Sequence, residues 1–333
     1  MTMIVDATFS HVKKTDDPKT SRYAEYRKEW NTRPVEHRAG EYPVHIDLEV
    51  ASGCNLKCSI CYQSFAPPER GFMSMELFKK VIDECEGKVY SFKPNFRGEP
   101  LLHPQIAEML KYVKDKGFVE TMMNSNCMLL TSDMSKKLID AHLDKLICSV
   151  DGCTADVYES IRIGAKFDTV LENIKYLQSL KKELGVDYPK VRIQMVDQPK
   201  NHEQMQEYVD FWSNIADDVG VELMNDWHPK EALDKVVKCK DFECSMLYQR
   251  MIVLWDGRVV GCCGNNYAKL VLGNVAKQSV KLVWNGVPYN TLRYLSESGD
   301  THLSKVCSEC GYRTTVINHN KFPTNVEKAN YLI

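Results

Sequence analysis

Three cysteines near residue 50 carry the chemistry most readily read from this chain. They lie in the run Gly53-Cys54-Asn55-Leu56-Lys57-Cys58-Ser59-Ile60-Cys61-Tyr62, a C-x3-C-x2-C spacing. Three thiolates on one short loop can hold three irons of a [4Fe–4S] cube and leave the fourth iron without a protein ligand. An iron left open in this way can bind a small molecule and pass it an electron. The alternative is a structural zinc loop, but structural zinc closes with four ligands, and no fourth Cys or His lies close by.

Other segments bear chemistry-capable residues at strand ends. Arg97-Gly98-Glu99-Pro100-Leu101-Leu102-His103-Pro104 follows the second expected strand, at the C-terminal end where α/β barrels keep their sites. Asn124, Ser125 and Asn126 end the third strand, and Gln194 lies on the fifth. Cys148-Ser149-Val150-Asp151-Gly152 ends the fourth and is followed by Tyr158-Glu159-Ser160-Ile161-Arg162. An Arg fork suits a carboxylate; otherwise Asp151 caps a helix and Arg162 is a surface residue. A second cysteine set reads Cys244-x12-Gly257-x4-Cys262, then Cys307-Ser308-Glu309-Cys310. Cys239 and Cys263 stand close enough in sequence to replace a member of that set, and a four-cysteine zinc site is its alternative occupant. Cys85, Cys127, Cys148 and Cys153 read most simply as core packing. The nine histidines show no His-x3-His spacing, and neither a Walker loop nor a GxGxxG fingerprint is present.

The elements that position these residues follow from hydrophobic periodicity. Residues 44–51 alternate Val44, Ile46, Leu48 and Val50 as a strand that runs straight into the cysteine loop. Further strands are expected at 88–92, 120–124, 145–150, 190–196 and 219–224. Helices are expected at 74–84, 104–116, 132–141, 167–184 and 202–216. Such alternation argues for a parallel sheet with right-handed crossovers, and six strands are too few to close an eight-stranded barrel. Before residue 44 the chain is polar, with Tyr23, Tyr26 and Trp30 spaced as one helix face. After Trp227 helical repeats give way to cysteines, glycines and a hairpin over 249–260 that turns at Asp256-Gly257. The expected domains are therefore an extension (1–43), a partial barrel (44–236) and a small C-terminal α+β domain (237–333).

Composition sets outer bounds. With 333 residues, 44% hydrophobic and 26% charged, the chain has the make-up of a globular protein. A formal net charge of −2 gives no electrostatic reason to expect nucleic acid or an anionic membrane as partner. No apolar run reaches transmembrane length, and residues 1–30 have no hydrophobic core of a secretory signal. Thirteen cysteines without such a signal point to metal rather than disulfides and to a cytoplasmic location.

The cysteine run with its Asn-Leu filler resembles the radical S-adenosylmethionine (radical SAM) superfamily. That resemblance implies an open (β/α)6 partial TIM barrel. It also implies a cluster whose open iron chelates the methionine moiety of S-adenosyl-L-methionine. Reductive cleavage then makes a 5′-deoxyadenosyl radical that abstracts hydrogen from substrate. The Gly98-Glu99-Pro100 segment resembles the superfamily's Gly-Gly-Glu-Pro element, with Arg97 in place of the first glycine; by resemblance Gly98 and Glu99 hold the cofactor ammonium. Ser149 and Arg162 match the Ser-x-Asp-Gly…Tyr-x-x-Ile-Arg stretch and would contact the ribose or carboxylate. Tyr62 would sit beside the adenine, and Asn126 and Gln194 could reach the ribose. The second cysteine set resembles the Twitch domain, the shortened relative of SPASM, which implies one auxiliary [4Fe–4S] cluster on Cys244, Cys262, Cys307 and Cys310. Twitch enzymes include aminocyclitol dehydrogenases. The function expected is thus oxidation, or epimerisation, of a secondary alcohol carbon in a sugar or cyclitol, with a flavodoxin or ferredoxin as reducing partner. A peptide-modifying maturase is the alternative. For an epimerase, Cys153 is the candidate hydrogen donor.

Overall fold

In a computed structural model of the chain, residues 18–223, 243–265, 267–311 and 313 are described. In chain order they form α1 (Pro18–Val35), β1 (His45–Leu48), α2 (Met75–Cys85), β2 (Ser91–Lys93), α3 (Ile106–Asp115) and β3 (Glu120–Ser125). There follow α4 (Ser132–Asp140), β4 (Lys145–Ser149), α5 (Ala155–Ile161), α6 (Phe167–Leu184), β5 (Lys190–Asp197), α7 (Met205–Ser213) and β6 (Asp218–Leu223). The C-terminal part adds α8 (Met246–Gln249), β7 (Arg250–Val253), β8 (Arg258–Val260), β9 (Gly273–Asn274), α9 (Val280–Trp284), α10 (Val287–Glu297) and α11 (Lys305–Ser308). These residues gather into two compact units that interleave in sequence. One takes Val50–Phe72 and the chain from Lys93 through β6; the other takes α1 through Glu49, Met73–Phe92 and the described residues from 243 onward.

In the first unit β3, β4, β5 and β6 pair side by side, all parallel. Each strand lies next to its predecessor, so the right-handed crossovers place α4, α6 and α7 on one face. That face buries Met123, Leu146, Cys148, Val191, Ile193 and Met195. Alternation puts Asn124, Ile147, Ser149, Arg192 and Gln194 on the other face. A repeated clip anchors the strand starts. Asp144 accepts from the Thr121 N–H (2.7 Å) and Lys114 Nζ (2.7 Å), and Asp217 accepts from the Val191 N–H (2.7 Å) and Lys181 Nζ (2.6 Å).

In the second unit β1 pairs in parallel with β7, His45 opposite Arg250, and β7 turns back into β8 and β9 as an antiparallel ribbon. The turn falls at Gly257, whose φ of 88° is left-handed and suits glycine. The hairpin was expected; the parallel seat of its first strand on β1 was not, because pairing partners leave no local trace in sequence. Tyr26 and Trp30 of α1 are buried, Tyr26 stacking on Tyr90 (6.0 Å) and Trp30 meeting His45 edge-on (6.1 Å).

The strand–helix order matches the expected one in each described repeat, with local departures. The helix expected over 202–216 becomes a 3-10 turn (His202–Gln204) and the shorter α7. Helix α5 was expected only as the helix Asp151 would cap, without bounds: it has seven residues, no side-chain cap at Thr154, and only Tyr158 and Ile161 buried. Met224, Cys239 and the boundary near residue 237 lie outside the described residues. Among the described residues no helix is long and apolar enough to cross a membrane.

Asp144→Ala and Asp217→Ala should each destabilise the protein by about 1–3 kcal/mol, because each strands a buried backbone N–H and an ammonium together. Urea unfolding of each variant measures this; unchanged midpoints would show that the clips are dispensable.

Candidate active site and metal centres

The cysteine loop is closed before it is functional. Ser52 Oγ accepts from the Gly71 N–H (2.7 Å) and donates to the Glu69 carbonyl (2.8 Å), pinning the ends of the loop. The Lys57 and Ser59 N–H groups donate to the Ile163 and Ile161 carbonyls (both 2.9 Å), tying the loop to the end of α5. Gln63 Nε2 donates to the Arg97 carbonyl (2.5 Å), and the Glu99 N–H donates to the Gly53 carbonyl (2.9 Å). At Gly98 the two backbones touch. A Cβ there would lie 2.1 Å from the Ala51 oxygen and 2.5 Å from the Gly53 oxygen. Only glycine fits at 98, whereas the Arg97 guanidinium lies over the Phe96 ring, 5.7 Å from its centroid.

The three thiols face N–H donors. The Leu56 N–H points at Cys54 Sγ (3.4 Å), with Asn126 Nδ2 3.8 Å from the same sulfur, and Arg162 Nη1 lies 3.9 Å from Cys58 Sγ. The Gln63 backbone N–H bonds to Cys61. Burial pushes the Cys54 thiol up to about 11, the neighbouring Glu99, Cys58 and Cys61 charges adding to it. Burial likewise raises Cys58, against the Arg162 charge, and Cys61. Buried thiols of this kind give up their protons to a bound metal, and the surrounding N–H donors suit the thiolates so formed. The donor set therefore fits a cluster held on three cysteines.

Glu99 links this loop to the end of β3. Its buried carboxylate accepts from the Leu101 N–H (3.1 Å), Ser125 Oγ (2.8 Å) and the Asn126 N–H (2.8 Å). Burial pushes its pKa up to about 6, while those donors pull against it. Asn126 in turn donates from Nδ2 to Asn55 Oδ1 (2.8 Å) and accepts at Oδ1 from the Met128 N–H (3.0 Å). The turn continues through Cys127, a non-glycine residue at φ 59° whose N–H is held by Ser125 Oγ (2.9 Å). Strain of this kind persists where the surroundings over-determine the backbone.

Asp151 caps no helix. It is fully buried, accepting from Arg162 Nε (2.6 Å) and the Val196 N–H (2.8 Å), and Arg162 is mostly buried with it rather than on the surface. Ser149 and Gln194 sit opposite each other in register, with Gly220 next in the row. Gln194 Oε1 accepts from Arg192 Nε (2.9 Å), so its NH2 group is the end left to donate elsewhere. Arg192 lies flat over Gly220, where a Cβ would come within 2.0 Å of its guanidinium. Tyr62 is buried at the start of a 3-10 turn beside Cys61. Cys153 turns toward Gln204 Oε1 (4.0 Å), next to α7. Asn55 and Gln63 were not singled out by sequence reasoning; Asn55 lies inside the quoted cysteine run and Gln63 just beyond it, and nothing else in the sequence marks them.

The second cysteine set also converges. The Cys262 thiol is raised well above its ordinary value, first by burial and then by the charges of Cys263, Cys244, Cys307 and Cys310. Cys244, raised likewise by burial, feels Cys307 and Cys310. The Cβ position of Gly264 lies 3.5 Å from Cys310 Sγ and 3.6 Å from Cys262 Sγ. Cys263 Sγ contacts Met246 Sδ (3.7 Å), and Cys239 lies outside the described residues. Thiols close enough to act on Cys262, with a glycine leaving room beside two of them, fit a cluster.

Residues 48–211 match the family model of the radical SAM superfamily, and residues 244–311 match that of SPASM, an iron–sulfur cluster-binding domain. The cofactor-modifying protein of the tungsten-containing aldehyde ferredoxin oxidoreductase from Pyrococcus furiosus is 25% identical over 317 residues, spanning 81% of this chain and 87% of its own length. Among solved structures, BtrN in complex with AdoMet and 2-DOIA superimposes with a TM-score of 0.52 at 19% identity, over 80% of this chain and 92% of BtrN. Streptococcus suis SuiB bound to its precursor peptide SuiA superimposes with a TM-score of 0.65 at 15% identity, over 96% of this chain and 82% of SuiB. At these identities the likeness is one of fold. The chain belongs to the radical SAM superfamily and carries a C-terminal SPASM-type iron–sulfur domain. It is a radical SAM enzyme, with the mostly parallel, unclosed α/β architecture of that group. Its cofactors are a [4Fe–4S] cluster, S-adenosylmethionine and an auxiliary iron–sulfur cluster.

Two outcomes follow from this geometry. Gly98→Ala should lower stability by about 1–3 kcal/mol, since a methyl group would have to displace two backbone carbonyls; a thermal melt that matches the parent would contradict the close approach. If Glu99 holds the cofactor ammonium as a carboxylate, affinity for S-adenosylmethionine should fall as pH drops through about 6. Protonation removes the charge that attracts the ammonium. Glu99→Gln should abolish that pH dependence, and calorimetric titration from pH 5 to 8 measures both.

Proposed function

We propose that the enzyme oxidises a secondary alcohol carbon of a sugar or cyclitol. One observation carries this reading: the charges of Cys244, Cys307 and Cys310 reach the Cys262 thiol, and Gly264 leaves room beside Cys262 and Cys310. Four thiolates satisfy the four irons of a single cube. A cluster so closed has no vacant iron for substrate and is suited to accepting an electron. Loss of a hydrogen atom from a carbinol carbon leaves a radical that becomes a carbonyl by losing one further electron and one proton. Cys244, Cys262, Cys307 and Cys310 would hold a cluster able to accept that electron, and solvent or a substrate-side base would take the proton. The fold likeness to BtrN, solved with AdoMet and 2-DOIA, supports the reading.

Cys54, Cys58 and Cys61 are proposed to hold the first cluster. With S-adenosylmethionine bound, that cluster supplies the radical that takes the hydrogen atom. Glu99 and the Gly98 backbone hold the cofactor ammonium, Ser149 and Arg162 face its carboxylate or ribose, and Asn126, Gln194 and Tyr62 line the nucleoside. A flavodoxin or ferredoxin in the cytoplasm provides the first electron. Epimerisation is the alternative outcome of the same abstraction: Cys153 would return a hydrogen atom to the opposite face, and its thiyl radical would be restored by one electron from the auxiliary cluster and one proton from solvent; its contact with Gln204 would have to open for that. A peptide substrate is the second reading, supported by the fold likeness to SuiB over 96% of this chain.

The anaerobically reconstituted protein should hold about eight irons in two four-iron clusters. Replacing Cys307 and Cys310 with alanine should leave deoxyadenosine formation largely intact while the oxidised product falls about tenfold or more. If the two products stay in constant ratio in a folded double variant, the electron-acceptor role is wrong and a redox-neutral reaction takes its place.

A further inference from the structure

We propose that Asn126 and Arg162 tune the reduction potential of the cluster on the cysteine loop by directing N–H groups at its thiolate sulfurs. The inference rests on the reading that Cys54, Cys58 and Cys61 hold that cluster. Asn126 Nδ2 has two N–H bonds. One is taken by Asn55 Oδ1 (2.8 Å), and the same nitrogen lies 3.8 Å from Cys54 Sγ. The orientation of the amide is set at both ends, because Nδ2 donates to Asn55 Oδ1 and Oδ1 accepts from the Met128 N–H. Arg162 is fixed with equal care. Its Nε is committed to Asp151, leaving Nη1 3.9 Å from Cys58 Sγ. Asp151 is itself held by the Val196 N–H, and its backbone carbonyl accepts from Asn201 Nδ2 (3.1 Å). The two donors come from different parts of the sheet and reach different sulfurs.

Hydrogen bonds to cluster sulfurs are one of the levers by which a protein sets the potential of an iron–sulfur centre. An N–H aimed at a thiolate draws electron density from the sulfur and stabilises the extra negative charge of the reduced cluster. The step is a one-electron reduction: the cluster gains one electron from a low-potential donor, no covalent bond is made or broken, and neither donor gives up its proton. The remaining N–H groups on these sulfurs come from the Leu56 and Gln63 backbone. Among the donors described, the side chains of Asn126 and Arg162 are therefore the adjustable part. This role differs from contact with the methionine moiety in a measurable way, since it operates before S-adenosylmethionine binds.

The experiment is a dithionite titration of the reconstituted full chain, followed by electron paramagnetic resonance without S-adenosylmethionine. Asn126→Ala should make the first cluster harder to reduce by about tenfold in its reduction equilibrium, which is 59 mV for one electron. Arg162→Lys, which keeps a charge beside Asp151 but not the fork, should shift it in the same direction. The auxiliary cluster should stay at its parental potential and serve as the internal reference. Lys166→Ala, which removes an exposed positive charge that pairs with Glu159, should shift nothing. Iron content checks assembly; where Arg162→Lys loses the first cluster, Asn126→Ala and Asn126→Ser, which leave the Asp151 pair intact, decide the question. Parental potentials in assembled variants overturn the proposal, and so does an equal shift from Lys166→Ala. Weakened S-adenosylmethionine affinity at unchanged potential also overturns it, making these residues cofactor contacts only. A Cys54, Cys58 and Cys61 triple variant that keeps all its iron would instead remove the underlying reading.

Discussion

The active-site half of this molecule depends on one close approach between backbones. Gly98 lies so near the Ala51 and Gly53 carbonyls that no side chain fits between them, and the Glu99 N–H closes the contact onto Gly53. Beyond Leu56, Cys58 and Tyr62, the cysteine loop buries no hydrophobic side chain with which to hold itself. Ordering each of its residues costs about 1–2 kcal/mol of backbone entropy, and the ligands it presents repel one another once ionised. The contact at Gly98 gives the loop a rigid neighbour. From there Glu99 passes the constraint to Ser125 and Asn126, and Asn126 passes it back to Asn55 beside Cys54. Segments distant in sequence thus share one hydrogen-bonded circuit.

Charge is arranged around that circuit with little left uncompensated. Glu99 is buried but surrounded by three donors, so its carboxyl sits near 6 rather than far higher. Asp151 is buried more deeply and carries a guanidinium partner. Breaking such a pair costs more than the pair contributes, and for that reason Arg162 is constrained in place as much as it is attracted. The same logic appears at the strand starts, where Asp144 and Asp217 each join a lysine to a strand N–H. Those clips fix the far ends of the strands whose other ends carry the site.

Much of the fold was legible because it repeats. The alternation of Val44, Ile46, Leu48 and Val50 and the stripe of Phe167, Val170, Leu171, Ile174 and Leu177 are periodic signals, and the structure buries all of these but Leu171, which is half-buried. The cysteine spacings were legible because a cluster demands ligands of one type at short intervals. What sequence does not carry is partnership across long separations. The pairing of β1 with β7 joins residues about 200 positions apart and has no local signature. Asp151 looked like a helix cap because capping is the common use of an aspartate before a short helix; its guanidinium partner comes from the far end of that helix. The bounds of α5 were not legible because two buried side chains make no stripe. Arg97 looked like a defect in a glycine pair, and it is tolerated because only position 98 faces the Ala51 carbonyl.

The central claim is that Cys54, Cys58 and Cys61 present a cluster with an open iron to S-adenosylmethionine. Electron paramagnetic resonance of the reduced protein, recorded with and without S-adenosylmethionine, tests it most directly. The account predicts two cluster signals, of which one changes when the cofactor is added, and that signal alone disappears when the three cysteines become alanine. A spectrum indifferent to the cofactor, or a cofactor-sensitive signal that survives in the triple variant, would contradict it.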